Sequence, residues 1–342
     1  MKKVRWGVLG AAKIAVEKVI PAMQAGENCE VAAIASRDLS KARKAAGELG
    51  VPKAYGSYEE LIADPEIEAI YNPLPNHLHV PWSVRAAEAG KHVLCEKPVA
   101  MNAAEALELI AARDRTGVVI GEAFMVHAHP QWKRVVELVR GGRIGELRAG
   151  VGAFCYYNRD PKNVRNVLAW GGGGLMDIGC YPITTSRHVF GEEPKRVAAT
   201  VARDGELDNV DYLTSAVLEY PSGHMVFTCS TQAANAQSMT FFGTKGRVWL
   251  DVPFNALAGK VSRIRIDDGR DLTGGGLTVE EFAPCDQYTL QGDLFSRAIR
   301  EGGAPPVPLE DSLRNMAVID ALFRSGESGR WEEPRVPEVK GR

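Results

Sequence analysis

Two groups of residues have the types and spacing that proton transfer to or from a small molecule needs. Glu96, Lys97 and Pro98 follow a short apolar run, where a buried strand would end. Asp177 and Tyr181 are four residues apart after a glycine run, so on a helix both point to one face. A nearby ammonium favours the phenolate form of tyrosine and lowers its pKa. A lysine and a tyrosine can therefore act together as the acid/base for a hydroxyl or carbonyl group.

A third stretch has the features of a phosphate-binding turn. It joins a predicted strand to a predicted helix and reads GVLGAAKIA. Gly10, Ala12 and Ala15 occupy the glycine positions of the dinucleotide fingerprint G-x-G-x-x-G. A helix starting here would offer unpaired N–H groups to phosphates; a small-residue turn without a ligand is the alternative. The predicted cofactor contacts in this turn are Gly10, Ala11, Ala12, Lys13 and Ile14.

The end of the second predicted strand bears on the choice of dinucleotide. NAD sites usually have an acidic residue there, which accepts from the ribose 2′-hydroxyl. Ser36 and Arg37 stand at that place, followed by Asp38. An arginine fork can pair with a 2′-phosphate. We therefore predict an NADP cofactor held by Ser36 and Arg37. NAD stays open if Asp38 turns inward, and Arg37 could instead be a surface charge.

The elements that position these groups follow from hydrophobic patterning. Through about residue 123, apolar strand-like runs alternate with helix-like segments, which predicts an α/β domain with a parallel, doubly wound sheet. Ligands of such sheets bind beyond the carboxyl ends of the strands. From residue 124 the pattern changes to long alternating strands, with hairpin turns at 221–223 and 244–246. This pattern predicts an α+β domain with a large, mostly antiparallel open sheet.

We expect the two domains to divide the work. Residues 1–123 would bind the dinucleotide, and residues 124–342 would bind substrate and form oligomers. Helices near 175–190, 288–300 and 309–324 would cover one face of the second sheet. Its other face would be a dimer interface, for which the candidate residues are Phe154, Tyr156, Val226 and Trp249.

Composition excludes several classes of protein. Of the 342 residues, 45% are hydrophobic and 25% are charged, and 41 Lys plus Arg balance 43 Asp plus Glu. This near-neutral charge does not suggest a nucleic-acid surface. The first apolar run is too short for a signal peptide, and no stretch has the length of a membrane span. The six cysteines are widely spaced, so we expect no metal site and a reducing, cytoplasmic location.

Six motifs, in this order, resemble those of the glucose–fructose oxidoreductase / inositol dehydrogenase (Gfo/Idh/MocA) family. They read GVLGAAKIA, YNPLPNHLH, CEKPVAM, GEAFM, GGGGLMDIGCYPI and FFGTKGRVWLD. The resemblance covers nearly the whole chain. It is strongest to the branch with glucose–fructose oxidoreductase, NADP-dependent xylose dehydrogenase and dimeric dihydrodiol dehydrogenase. It implies an N-terminal Rossmann domain and a second domain whose open sheet pairs subunits into homodimers or homotetramers.

The resemblance also implies roles for single residues. Lys97 matches the catalytic lysine of the E-K-P motif, and Asp177 matches the aspartate of the glycine-rich motif. Tyr181 matches the acid/base position, where many relatives have histidine. The implied cofactor contacts on the nicotinamide side are Leu74, Pro75, Asn76, His79, Glu96 and Lys97. The predicted substrate contacts are Arg165, Asp177 and Tyr181.

Most of these residues also have a structural interpretation. Glu96 and Lys97 could form a solvated turn, and Tyr181 could be a half-buried aromatic residue. Asp177 and Asn76 could cap helices, and Arg165 could be a surface charge. A zinc site at His77 and His79 is excluded, because residues i and i+2 of a helix diverge.

The predicted activity is hydride transfer between the nicotinamide of NADP and a hydroxyl or carbonyl group of a sugar or polyol, as in an aldose 1-dehydrogenase. Reduction of a keto- or anhydro-sugar and oxidation of a trans-dihydrodiol are alternatives. A non-catalytic dinucleotide-binding sensor is an alternative of another class. A sensor does not need Lys97 and Tyr181 together, so their presence favours an enzyme. We expect no nucleic-acid or membrane partner.

Overall fold

The computed structural model describes residues 2–338. Its contacts divide the chain into two compact units. Unit 1 contains the described residues 2–128, 286–313 and 337–338, and unit 2 contains 129–285 and 314–336. A C-terminal segment therefore returns to unit 1, whereas the sequence analysis divides the chain once, between residues 123 and 124.

The sheet of unit 1 is parallel and six-stranded, in the order β3-β2-β1-β4-β5-β6. Its strands are β1 (Val4–Leu9), β2 (Cys29–Ala35), β3 (Lys53–Tyr55), β4 (Ala69–Asn72), β5 (His92–Glu96) and β6 (Ile120–Ala123). The central strands are nearly continuous apolar runs, as expected where helices cover both faces. The doubly wound α/β fold is confirmed. The strand order reverses between β1 and β4, and ligands of such sheets bind at this switch point.

The α-helices of the described chain alternate with the strands of unit 1 and flank the sheet of unit 2. In chain order they are α1 (Ile20–Gln24), α2 (Leu39–Leu49), α3 (Tyr58–Ala63), α4 (His79–Glu88), α5 (Ala103–Thr116), α6 (Pro130–Arg140), α7 (Cys180–Phe190), α8 (Gln287–Glu301) and α9 (Leu309–Ser328). Helices α1 and α7 continue directly from π-helical turns at Ala15–Val19 and Leu175–Gly179. The side chains of Asp38, Ser57 and Asn102 cap α2, α3 and α5.

Helix α8 corrects one expectation. The sequence analysis has it cover the second sheet, but it belongs to unit 1, where it packs on β1 and β2. The Trp6 indole N–H donates to Ser296 Oγ at 3.1 Å, and the Trp6 and Phe295 rings are 5.6 Å apart. All three side chains are buried. The apolar face of α8 therefore completes the core around Trp6.

The sheet of unit 2 has eight strands, in the order β14-β13-β12-β11-β7-β10-β9-β8. They are β7 (Leu147–Tyr157), β8 (Arg196–Asp204), β9 (Val210–Glu219), β10 (His224–Ser230), β11 (Gln232–Gly243), β12 (Gly246–Leu250), β13 (Ser262–Asp267) and β14 (Leu277–Phe282). All neighbours are antiparallel except β7 and β10. The mostly antiparallel second sheet and both hairpin turns are confirmed.

Strand β7 shows how the two faces of this sheet differ. Phe154 is buried, whereas Val151, of opposite orientation, is 48% exposed. Tyr156 lies on the same face as Phe154, so placing these two residues on the open face was wrong. Val226, 43% exposed, does lie on the open face, beside Val151 in register. Trp249 alternates with buried neighbours on β12 and also faces outward.

Further features of the described residues bear on function. None of the helices in this part of the chain is long and apolar enough to cross a bilayer. All six cysteines are free thiols. Within residues 2–338, no group of three or more His, Cys, Asp or Glu side chains is placed to hold a metal ion.

Candidate active site

The turn between β1 and the first helix fits a dinucleotide. Gly10 has a φ of 88°, and a Cβ at this position would lie 3.1 Å from Leu74 Cδ2. Both the backbone angle and the space therefore favour glycine. Helical turns begin at Lys13, and the first N–H groups of a helix have no intrahelical partner. These groups and the small side chains of Ala11 and Ala12 could hold a pyrophosphate.

Arg37 and Asp38, which follow the end of β2, have different contacts. Asp38 Oδ1 accepts from the Ser40 N–H at 2.9 Å and caps α2. The Ser40 hydroxyl contributes most to lowering the pKa of Asp38. Burial raises the pKa of Tyr58, and the nearby Arg37 guanidinium acts against that shift. The Tyr58 hydroxyl lies 3.6 Å from where a Cβ on Gly10 would be. Asp38 is thus committed to capping, and Tyr58 lies near both Arg37 and the turn at Gly10.

The E-K-P turn follows β5 and is built around a buried carboxylate. Glu96 is 9% exposed, so the solvated-turn interpretation was wrong for this residue. Its Oε1 accepts from the Tyr71 hydroxyl at 2.7 Å, and its Oε2 accepts from the Lys97 N–H at 3.2 Å. The Lys97–Pro98 peptide bond is cis. Burial, and then the charge of Glu96, raises the pKa of Tyr71 well above its ordinary value. Glu96 therefore positions the backbone from which the Lys97 side chain extends.

His79 joins this turn to the preceding one. Its Nδ1 lies 2.7 Å from the Pro98 carbonyl oxygen, and its Nε2 lies 2.6 Å from the Leu74 carbonyl oxygen. The side chain is 1% exposed. Burial lowers the pKa of His79 to about 4, and the two carbonyl groups act in the opposite direction. Both ring nitrogens of His79 thus face backbone carbonyl groups of the chain itself.

Asn72, at the end of β4, holds the turn that follows this strand and contains Leu74. Its Nδ2 donates to the His79 carbonyl and to Ser83 Oγ, both at 3.0 Å, and its Oδ1 accepts from the Leu74 N–H at 3.3 Å.

Asn76 does not cap the following helix, because α4 begins at His79 after a short 3₁₀ turn. The capping interpretation of Asn76 was therefore wrong.

In unit 2 the glycine run allows a close approach between two segments. The Gly173 N–H donates to the Arg165 carbonyl at 2.8 Å. A Cβ on Gly172 would lie 2.5 Å from that same oxygen. Only glycine fits at this distance, so the run lets the helix start directly against the 3₁₀ turn Val164–Asn166 that carries Arg165.

Asp177, Arg165 and Tyr156 form an ionic cluster beside this approach. Asp177 Oδ2 accepts from the Tyr156 hydroxyl at 2.7 Å and pairs with Arg165 Nε at 2.9 Å. The Asp177 charge is the main cause of a raised pKa at Arg165, to which Tyr156 and Tyr181 also contribute. Asp177 does not cap its helix, since the N-cap residue is Gly174. Arg165 is thus an ion-pair partner of Asp177 and not an isolated surface charge.

Tyr181 follows Asp177 at the start of α7 and is 5% exposed. Its ring centroid lies 5.4 Å from that of Phe154 and 5.5 Å from that of Phe254. These two rings are stacked on each other at 4.9 Å, so the Tyr181 ring packs against an aromatic pair. Asp177 lies in a π-helical turn, a distortion that often occurs at functional sites. A fixed phenol next to an ion pair is suited to proton transfer at a defined position.

The predicted residues thus form one group in each unit. Unit 1 gathers Gly10, Ala11, Ala12, Lys13, Ile14, Ser36, Arg37, Leu74, Pro75, Asn76, His79, Glu96 and Lys97 at the turns after β1, β2, β4 and β5. Within this group Ser36 Oγ accepts from the Asp38 N–H at 3.2 Å. Unit 2 brings together Arg165, Asp177 and Tyr181.

Three further residues were missed by the sequence analysis. Tyr58 lies on α3, a helix that the sequence analysis does not predict. Asn72 is a polar residue directly after a buried strand, a signal that could have identified it. Tyr156 was assigned to the opposite face of β7, although its alternation with exposed Val151 and Tyr157 gives the correct side.

Comparison with known proteins agrees with this arrangement. Residues 4–124 match the oxidoreductase family with an NAD-binding Rossmann fold (GFO_IDH_MocA), and residues 132–249 match the GFO/IDH/MocA C-terminal domain. An uncharacterized oxidoreductase, ORF334, of Rhizobium meliloti is 50% identical, with 97% of this chain and 99% of the relative covered.

Two relatives have named activities. A D-xylose 1-dehydrogenase (NADP(+)) of Haloferax volcanii is 39% identical, with 95% of this chain and 98% of the relative covered. A trans-1,2-dihydrobenzene-1,2-diol dehydrogenase of Mus musculus is 37% identical, with 71% and 73% covered.

A solved structure has the same fold over nearly the whole chain. A 3-ketoreductase from Actinomadura kijaniata, in complex with NADP and TDP-benzene, superimposes with a TM-score of 0.88. It is 30% identical, and the match covers 95% of this chain and 98% of that one. The family and the branch that the motifs indicated are both confirmed. The chain belongs to the Gfo/Idh/MocA family of oxidoreductases.

Proposed function

We propose that this oxidoreductase transfers a hydride between the nicotinamide of NADP and a hydroxyl or carbonyl group of a sugar or polyol. The support from relatives is their named activities: oxidation of D-xylose, oxidation of a dihydrodiol and reduction of a keto group. These reactions share one chemical step, removal or addition of a hydride at a carbon that bears oxygen. They differ in direction and in the rest of the substrate, and none of the three is favoured.

One observation carries the proposal: Tyr181 is held rigidly next to an ion pair. Its ring packs against the stacked rings of Phe154 and Phe254, and Asp177, four residues earlier, pairs with Arg165. A catalytic acid/base must stay within hydrogen-bond reach of the proton that it transfers. The packing of Tyr181 against Phe154 on β7 and Phe254 on the loop after β12 supports such a placement.

In the proposed mechanism each residue has a separate role. Tyr181 exchanges a proton with the substrate oxygen. By the family resemblance, Lys97 would assist this proton transfer with its positive charge. Asp177 holds the Arg165 guanidinium through Nε, and Arg165 orients substrate oxygens with the planar fork of that group. When bound, the nicotinamide supplies the hydride chemistry.

The cofactor would bind at the strand ends of unit 1. Gly10, Ala11, Ala12, Lys13 and Ile14 would hold the pyrophosphate. Ser36 and Arg37 would hold the adenosine 2′-phosphate, because Asp38 is committed to capping α2. Leu74, Pro75, Asn76 and Glu96 would line the nicotinamide side, and His79 would act through the two turns that it joins.

A substrate screen tests this function. Purified protein is mixed with NADP⁺ and aldoses, polyols or trans-dihydrodiols, or with NADPH and keto-sugars or nucleotide-linked keto-sugars, and absorbance is followed near 340 nm. We expect turnover of at least one class, and its loss in Y181F. Tight NADP binding without turnover across the panel would contradict the proposal and favour a sensor.

We also propose that the protein works in the cytoplasm as a homodimer or homotetramer that pairs through the open face of the second sheet. The support is the free state of all six cysteines and the exposed apolar side chains on that face, Val151, Leu213, Val226, Phe242 and Val279. Light scattering after gel filtration should give a dimer or tetramer for the native protein and smaller species for V151D/V226D. An unchanged mass in the variant would contradict this interface.

A further inference from the structure

A buried carboxylate lies against the start of the helix that carries Asp177 and Tyr181. Asp211, near the beginning of β9, is 1% exposed. Its Oδ2 accepts from the Leu175 N–H at 2.6 Å. Leu175 is the first residue of the π-helical turn, and its N–H is one of those that a helix cannot satisfy internally. Asp211 thus supplies, from a distant strand, a hydrogen bond that a neighbouring N-cap side chain usually provides.

The glycine run is shaped to admit this carboxylate. Gly173 has a φ of 116°, and a Cβ at Gly173 would lie 2.0 Å from Asp211 Oδ1. A Cβ at Gly174 would lie 3.5 Å from Oδ2. Any side chain at Gly173 would therefore displace Asp211 from the helix. The motif and the aspartate contact each other closely, although Gly174 and Asp211 are 37 positions apart in the sequence.

We propose that Asp211 is a positioning residue for the reaction. It fixes the first turn of the helix against β9 and thereby sets where Asp177 and Tyr181 lie. The inference rests on the proposed acid/base role of Tyr181. Leu175 is only two residues before Asp177, so a shift of the first turn moves the carboxylate that holds Arg165. A misplacement of about 1 Å can cost on the order of 100-fold in rate.

The surroundings of Asp211 combine burial with backbone donors at the start of the helix. Burial raises the pKa of Asp211 to about 7, and the N–H groups of Leu175 and Gly174 act against that shift. Two titratable side chains face Asp211. Arg203 on β8 lowers the pKa of Asp211. On β10, burial and then the charge of Asp211 raise the pKa of Cys229. The groups that the start of the helix presents to Asp211 are the backbone N–H groups of Leu175 and Gly174. Asp211 Oδ2 therefore acts as a hydrogen-bond acceptor for the end of a helix.

Hydrogen exchange gives a test that needs no substrate. We compare the full-length native protein with D211A, D211N and the control D267N. Asp267 is also buried and also accepts a backbone N–H, that of Gly269 at 3.0 Å, but on β13. D211A should raise amide exchange in the peptide spanning 171–185, D211N should raise it less because its amide oxygen still accepts, and D267N should leave it unchanged. Equal exchange in native protein, D211A and D211N would overturn the proposal.

Kinetics then separate positioning from simple stability. With the best substrate of the screen at pH 8, we expect kcat to fall about 10–100-fold in D211A, with the Kd for NADP within about twofold of native. D211N should lie between native and D211A, and its melting temperature at pH 8 should not fall. In a Y181F background the D211N substitution should have almost no further effect on kcat, since both act through one phenol.

The outcomes distinguish this inference from the proposed function. If Y181F keeps a normal kcat, Tyr181 is not the acid/base and the proposed function fails at its centre. If Y181F is inactive but D211A and D211N keep normal kcat, only the positioning role fails. Equal fold-losses from D211N in the native and Y181F backgrounds would also overturn it, because a general structural effect would act equally in both.

Discussion

Each unit contains a tyrosine that donates to a carboxylate of the candidate site, and the two pairs differ in what the carboxylate holds. Tyr71 donates to Glu96 at 2.7 Å in unit 1, and Tyr156 donates to Asp177 at 2.7 Å in unit 2. Glu96 also accepts from the backbone N–H of Lys97, whereas Asp177 pairs with the side chain of Arg165. The first pair thus shapes a turn, and the second places a charge.

This difference bears on how each region tolerates change. A turn is positioned by many backbone contacts, and the E-K-P turn has further ones through Glu122 and His79. The Asp177 cluster depends on side chains from β7, a loop and a helix. Apart from Lys97, we therefore expect unit 1 substitutions to act on cofactor binding and stability, and unit 2 substitutions to act on catalysis.

The largest effect should come from removing the proposed acid/base. Y181F should lower kcat by about 10²–10⁴-fold, the usual contribution of a positioned acid or base, while the Kd for NADP changes little. K97M should also lower kcat and should raise the apparent pKa in the pH profile. Steady-state kinetics and cofactor titration measure these quantities. A double variant whose loss equals the product of the single losses would show that Lys97 and Tyr181 act independently.

The cofactor prediction should give the next largest effect. R37A should weaken NADP binding by about 1.5–3 kcal/mol, the range for hydrogen bonds to charged groups, and should leave NAD binding nearly unchanged. Isothermal titration calorimetry with both cofactors measures this difference. R43A, at an exposed arginine on helix α2, which begins just after Arg37, is the matched control and should change neither affinity. Equal losses for NADP and NAD in R37A would remove Arg37 from the 2′-phosphate.

The two tyrosine–carboxylate pairs can be compared directly. Y71F and Y156F each remove one donor from a buried carboxylate, which should cost about 1–3 kcal/mol of unfolding free energy. Y71F should mainly raise the Kd for NADP, and Y156F should mainly lower kcat/KM for the substrate. Denaturant unfolding and steady-state kinetics would measure both effects. If Y156F altered NADP binding and Y71F altered only kcat, the proposed division of labour would be wrong.

A last contrast concerns two buried aspartates whose pKa values shift in opposite directions. At Asp64, burial raises the pKa, but Lys53 and Tyr55 more than offset it and lower the value to about 2. Its contribution to stability is therefore present above pH 4 and is lost as the pH falls towards 2. At Asp211, with a pKa raised to about 7, stability is instead lost as the pH rises from about 4 towards 7.

Melting temperatures across pH 2–8 test this contrast. D64N should reduce the acid-side loss of the native protein, and D211N should reduce the loss between about pH 4 and 7. Identical pH profiles for native protein and D211N would mean that Asp211 does not titrate in the neutral range.

The turns of unit 1 were predictable because parallel strands end at one edge of the sheet. Apolar runs located β1, β2, β4 and β5, and the residues after them fell at that edge. The missed elements, β3, α3 and β14, are short or carry few buried residues, so they leave little hydrophobic pattern. Asp211 and Tyr156 were not predictable as partners of the helix, because only the packed tertiary structure brings such distant segments into contact.

The segment 286–313 has a consequence for how the chain is synthesised. Unit 1 includes residues 2–128, but its core around Trp6 also needs Phe295 and Ser296 on α8. More than 150 residues of unit 2 are translated in between. The N-terminal part therefore emerges from the ribosome with Trp6 uncovered and waits for the C-terminal helix before its core can close. At typical elongation rates of about 5–20 residues per second, that exposure lasts on the order of 10 s or more.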